Sequence, residues 1–135
     1  MRTHSPEPGA AVTLKDARGV VAVDSDDGTA VCDRCLVARS FWTRLKGLLG
    51  KGMLPAGQGM LIHPAPSIHT FLMRFPIDAV FLSGHGAVLK VAPDVRPWRA
   101  RSCRKAYAVL ELPAGAADQA RLAPGDQLVF TQAAS

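Results

Sequence analysis

Apolar positions along this chain fall into short runs broken by Gly, Pro, Asp and Ser, and only one run has the three-to-four spacing of a helix. Residues 20–23 predict a strand, 24–28 a turn and 29–38 a second strand, so the pair predicts a hairpin. Residues 40–49 stand apart: Phe41, Leu45, Leu48 and Leu49 recur at helical spacing, with Ser40 placed to cap the first turn and Gly50 to close the last. Gly47 within that pattern costs about 1 kcal/mol of helix propensity against Ala, which points to close packing or to an early helix end. A Gly- and Pro-rich connection over 50–59 leads into a strand at 59–63, and Pro64 and Pro66 then break the chain. After the stretch 67–82 come a hairpin turn at 83–86, a strand at 87–91, an irregular connection at 93–103 and a strand at 105–112. Residues 113–120 read as a short helix or turn with Pro113 at its first position. A turn at 123–126 precedes the closing strand 127–131.

The stretch 67–82 organises the rest. It reads as two apolar strands joined through Phe75-Pro76, yet it carries His69, Thr70, Arg74 and Asp78 among Ile, Phe, Leu, Met and Val. A buried polar group without a hydrogen bond costs roughly 1–3 kcal/mol, so each of these needs a partner. The expectation is a segment that supplies both the centre of the core and one wall of a polar cleft.

Roughly six to eight short strands with tight turns and one or two brief helices favour a mainly β fold, an antiparallel jelly-roll-like sandwich or partly open barrel. At 135 residues, with 48% apolar and 20% charged residues, the chain is long enough for one real core. The expected organisation is a flexible segment at 1–10, a β domain at 11–132 and a tail at 133–135. No repeat and no linker divides it. No apolar run is long enough for a membrane span, and residues 1–10 lack an apolar signal core, so a cytoplasmic location is expected. Three cysteines make no disulfide framework and fit a reducing compartment.

Several blocks in order, residues 41–50 (Phe-Trp-Thr-Arg-Leu-Lys-Gly-Leu-Leu-Gly), 59–62, 68–78, 97–99 (Pro-Trp-Arg), 109–115 (Val-Leu-Glu-Leu-Pro-Ala-Gly) and 125–126 (Gly-Asp), closely resemble small prokaryotic proteins grouped as domain of unknown function 192. The resemblance spans roughly residues 29–130. It implies a mostly β fold of jelly-roll or barrel type and no particular activity. Cys32 and Cys35 lie outside its pattern.

Net charge changes the picture locally. The formal net charge is +5, and of the 16 basic residues five fall between Arg96 and Lys105, around Trp98. Arginine suits phosphate and carboxylate, and Trp98 can stack or pack down on the core; the plain alternative is a solvated loop with one aromatic anchor. His69 and Asp78 read as a ligand-binding or acid/base pair, or as a buried polar pair that sets strand register. Glu111, between Leu110 and Leu112, invites pairing with Arg74 or Arg99. Cys32-Asp33-Arg34-Cys35 has half a zinc-site spacing without a second half, and in a regular strand its cysteines point to opposite faces. No metal, cofactor or catalytic residue is expected, and Ser67 has no nucleophile elbow around it.

The leading reading is a non-enzymatic binding domain whose cleft is lined by His69, Thr70, Arg74, Asp78, Arg99 and Glu111 and takes a small anionic ligand or a peptide carboxylate. The alternatives are a hydrolase-type enzyme using His69 and Asp78 as acid and base, and an assembly or interaction protein. Nucleic acid is not the expected partner.

Overall fold

Strand β2 (Val20–Ser25) alternates, with Val21, Val23 and Ser25 buried and the residues between them half-buried, the period of two of a strand with one face on the core. Strand β6 (Ile77–Leu82) is buried at every residue, as in a strand covered on both faces. The computed structural model describes residues 7–39, 54–70 and 73–133. The other strands are β1 (Ala11–Val12), β3 (Ala30–Ala38), β4 (Gln58–Ile62), β5 (Ser67–His69), β7 (Val88–Val95), β8 (Ala100–Ser102), β9 (Ala108–Pro113) and β10 (Leu128–Gln132). A 3-10 turn covers Leu14–Asp16, and a one-turn helix, α1, covers Ala116–Gln119.

Eight strands form one sheet in the order β1-β10-β2-β3-β4-β9-β6-β7, while β5 and β8 form a separate antiparallel pair. Among the described residues of the large sheet only β3 and β4 run parallel. The sheet curls until the start of β7, at one end, meets the start of β10, next to the other end: Ala87 bridges Gln127, the Val88 N–H donates to the Asp126 carbonyl (2.7 Å) and the Leu128 N–H to the Gly86 carbonyl (3.0 Å). The architecture is mainly β without a closed barrel, in agreement with the sequence, although the large sheet is mixed rather than antiparallel throughout.

Alternation then divides the core in two. Val80 and Leu82 of β6 join Leu110 and Leu112 of β9, Val21, Val23, Leu61 and Phe130 in one cluster. Ile77, Ala79 and Phe81 join Val109, Met60 and Ile62 on the other face, where Ile68 of β5, Met73 and Phe75 cover them.

The expected hairpin through Phe75-Pro76 does not form. Strand β5 pairs with β8, whereas β6 pairs with β7 and β9. Pro76 has no N–H to give a ladder, and the Phe-Pro junction lacks the Gly or Asn chemistry of a tight hairpin turn. Strand β9 instead matches β6 residue for residue from Ile77↔Pro113 to Leu82↔Ala108. The hairpins expected at β2–β3 and β6–β7 are present. The helix expected over 40–49 lies outside the described residues, as do residues 71 and 72.

Candidate functional site

Thr70 follows β5 and is fully buried. Its hydroxyl donates to the Arg96 carbonyl at 2.6 Å, lies 3.2 Å from the Arg99 carbonyl and accepts the Arg99 N–H at 2.9 Å. Its backbone N–H donates to the Arg99 carbonyl (2.8 Å), and its carbonyl accepts the N–H groups of Trp98 (3.1 Å) and Met73 (3.2 Å). One buried threonine thus ties down both ends of the 96–99 segment. The consequence appears at Trp98, which is 60% exposed and holds a φ of +64°, a left-handed conformation that bulky residues seldom adopt and that persists only where the surroundings enforce it.

Around this turn the surface is basic. Arg96, Arg99, Arg101, Arg104 and Lys105 are all exposed, and Arg74, which follows Met73, is exposed as well. Arg99 and Arg101 each give one guanidinium N–H to a backbone carbonyl, of Trp98 (3.3 Å) and Ala100 (2.7 Å), leaving other donors of each fork outward. Arg96 sits 3.5 Å from the Asp94 carboxylate, an exposed contact of little energetic weight. His69 is half-buried on β5, opposite Ala100 of β8. The structure therefore brings His69, Thr70 and Arg99 together around the β5–β8 pair, while Arg74 is exposed next to the buried Met73.

Asp78 and Glu111 divide. Asp78 shares its side of β6 with Val80 and Leu82, the opposite side from the face that β5 covers. Its carboxylate is fully used by the backbone: Oδ1 accepts the Asp94 N–H (2.9 Å), and Oδ2 accepts those of Gly115 (3.0 Å) and Ala117 (2.9 Å). This carboxylate anchors the loop into α1 and the end of β7. Glu111, fully buried, stands in register with Met60 and Ala79, and directly opposed residues face the same way. It therefore belongs to the side that β5 covers.

Cys32 and Cys35 depart from the sequence expectation. Val23 pairs with Cys32 and Val21 with Cys35, so β3 carries one extra residue here. The N–H groups of Asp33 (2.8 Å) and Arg34 (3.0 Å) both donate to the Gly57 carbonyl, the signature of a β-bulge. The extra residue restores both cysteines to one side, where both are buried and free. Burial lifts the Cys35 thiol well above the ordinary cysteine pKa; the neighbouring Cys32 thiol and the charge of Glu111 push the same way. No turn residue marks the bulge in the sequence, so parity alone misled. Among the described residues no three His, Cys, Asp or Glu side chains gather closely enough to hold a metal, and no helix is long and apolar enough to cross a membrane.

Two solved structures share the fold. One is a Sinorhizobium meliloti 1021 protein described as a "putative transcription regulator", with a TM-score of 0.69, 23% identity, and coverage of 83% of this chain and 92% of that one. The other is a protein of unknown function from Novosphingobium aromaticivorans DSM 12444, with a TM-score of 0.69, 22% identity, and coverage of 95% and 98%. At that identity the likeness speaks for the fold. No curated protein sequence matches the chain. The model of the family described as "Uncharacterized ACR" matches residues 22–130, from β2 through β10, and the chain belongs to that family, domain of unknown function 192.

Proposed function

We propose that this protein is a non-enzymatic binding domain that takes a small anion or a peptide carboxylate on the face built by Thr70 and the 96–101 segment. The observation that carries the reading is the pairing of a fully buried Thr70 with a 60% exposed Trp98 at φ +64°. A strained, exposed aromatic costs of order 1–3 kcal/mol, and such strain clusters where a ligand is gripped. Arg99 and Arg101 supply forked donors that match a carboxylate, and Trp98 supplies a flat apolar wall beside them. His69 borders the same face from β5. Asp78 and Glu111 take no direct part: one is occupied by three backbone amides, and the other lies within the core.

The test is a titration of the protein with an acetylated tripeptide bearing a free C-terminal carboxylate and with the same peptide amidated, followed by NMR shifts of the Trp98 and Arg99 amides. The free acid should bind saturably, more weakly at high salt, and Arg99→Ala should weaken it about tenfold, the loss of one charge-assisted pair. Equal behaviour of acid and amide would sink the proposal.

A further inference from the structure

A hollow of about 380 Å³ opens between the start of β3, the loop before β4 and helix α1, a size within the range of small-molecule sites. It exists because its walls are built from short side chains: Ala30, Ala56, Ala114, Ala116 and Ala120 all stop at Cβ. Its charge is one-sided. Among the described residues Asp33 is the ionisable group on the lining, with no Lys or Arg beside it there, in a chain whose formal net charge is +5.

The β3 bulge is what delivers that carboxylate. With the N–H groups of Asp33 and Arg34 both given to the Gly57 carbonyl, Asp33 is swung out of the pleat while Cys32 and Cys35 stay inside. Gly57, at φ +78°, leaves room for it: a Cβ there would lie 3.1 Å from the Asp33 Oδ2. The backbone of the bulge and the missing side chain of Gly57 together seat one exposed carboxylate at the edge of an alanine-walled hollow.

We infer that this hollow is a binding site for a primary ammonium carried on an unbranched apolar chain, with Asp33 taking the ammonium and the alanine walls taking the methylenes. That chemistry is shared by a lysine side chain of a partner and by a free alkylamine. The alanine walls favour the chain, the carboxylate favours the cation, and among the described lining residues an anion finds no donor side chain other than the Gln119 amide. The site is separate from the basic face, and either can fail without the other.

The experiment is an NMR titration of the intact protein with n-butylammonium, with Nα-acetyl-lysine amide and with neutral n-butanol, repeated on Asp33→Asn and Ala56→Leu. Saturable shifts at the Asp33, Gly57 and Ala116 amides are expected with the two cations. Asp33→Asn should weaken them about tenfold, as expected for loss of a charge-assisted hydrogen bond, and Ala56→Leu should abolish them by filling the hollow. Tighter binding of the lysine derivative would assign the site to a partner's side chain, tighter binding of butylammonium to a free amine. Butanol binding as well as butylammonium, or an Asp33→Asn protein that binds both cations unchanged, overturns the inference. Unaltered spectra of both variants away from the hollow show that each is folded, so a lost response cannot be blamed on unfolding.

Discussion

The Asp78 carboxylate holds Ala117: Oδ2 accepts the Ala117 N–H at 2.9 Å from a residue 39 positions away in the chain. The same oxygen takes the Gly115 N–H and its partner Oδ1 takes that of Asp94, so one buried side chain fastens two segments to β6. Gly115 at φ +93° and Asp94 at φ +49° are both left-handed, and the acceptor they share keeps them so. Asp78→Ala leaves three backbone donors without this acceptor and should cost about 3–6 kcal/mol, at about 1–2 kcal/mol for each lost bond. Asp78→Asn keeps one acceptor oxygen and should cost less. Urea denaturation checks this, with a lower midpoint and an unchanged slope for both variants.

Thr70 permits a sharper test because its two kinds of hydrogen bond separate. The Arg99 N–H reaches the Thr70 hydroxyl, whereas the Trp98 N–H reaches the Thr70 carbonyl. Thr70→Val is close in volume and removes only the hydroxyl. It should lower global stability by about 1–3 kcal/mol and strip amide-exchange protection from Arg99 more than from Trp98. Thr70→Ser should restore Arg99. Equal loss at both amides would show that the loop is held by its backbone alone.

Much of this architecture is legible in the chain, and the rest is hidden for identifiable reasons. The apolar run at 20–23, the apolar block at 77–82 and the Gly-rich turn at 83–86 reveal strands and hairpins because each depends on local composition. The partner of β5 depends on nothing local: residues 67–69 meet 100–102 across a sequence gap that no pattern announces. Likewise the polar character of residues 69–78 is visible, but its division is not. Thr70 and Asp78 both proved to be buried hydrogen-bond hubs, for two different loops on two different sides of the sheet. The bulge at Asp33-Arg34 breaks the parity on which the reading of Cys32 and Cys35 rested.

Gly59 sits where β4 passes between β3 and β9. A Cβ at this position would fall 2.7 Å from the Glu111 carbonyl oxygen and 2.9 Å from the Cys32 sulfur; the first is backbone and cannot step aside. Gly59→Ala should destabilise by about 2–3 kcal/mol through overpacking. Gly84 makes the control, because its Cβ would meet the Cε of Lys15 at 3.2 Å, the mobile end of a flexible side chain. Gly84→Ala should cost under about 1 kcal/mol. Thermal unfolding of the two variants side by side decides it.

His63 makes stability depend on pH in a direction that can be worked out. The ring is buried, with Nε2 3.3 Å from the Ala17 carbonyl oxygen. Burial lowers its pKa from the ordinary 6.5; the Ala17 contact opposes this, and the charges of Arg39 and Arg18 reinforce it. The unfolded chain therefore binds a proton at His63 before the folded chain does. Stability from this group is complete above about pH 6.5 and drains away as pH falls from there to the lower folded value. Urea midpoints measured between pH 7.5 and 5 should fall with pH, and His63→Gln should flatten that part of the curve. A His63→Gln protein with the wild-type slope would place the dependence elsewhere.

The cysteines should separate by burial. Cys103 is half-exposed, while Cys32 and Cys35 are shut inside the core, and the raised pKa of Cys35 keeps it as the unreactive thiol. Ellman's reagent added to the native protein at neutral pH should modify one thiol quickly and the other two only at the rate at which the sheet opens. In denaturing urea all three should react together. Cys103→Ser should erase the fast phase and leave the slow one, whose rate should rise in the destabilised Gly59→Ala protein because opening there is easier. A fast phase that survives Cys103→Ser would mean that the bulge exposes Cys32 or Cys35 to solvent, contrary to the packing described for β3.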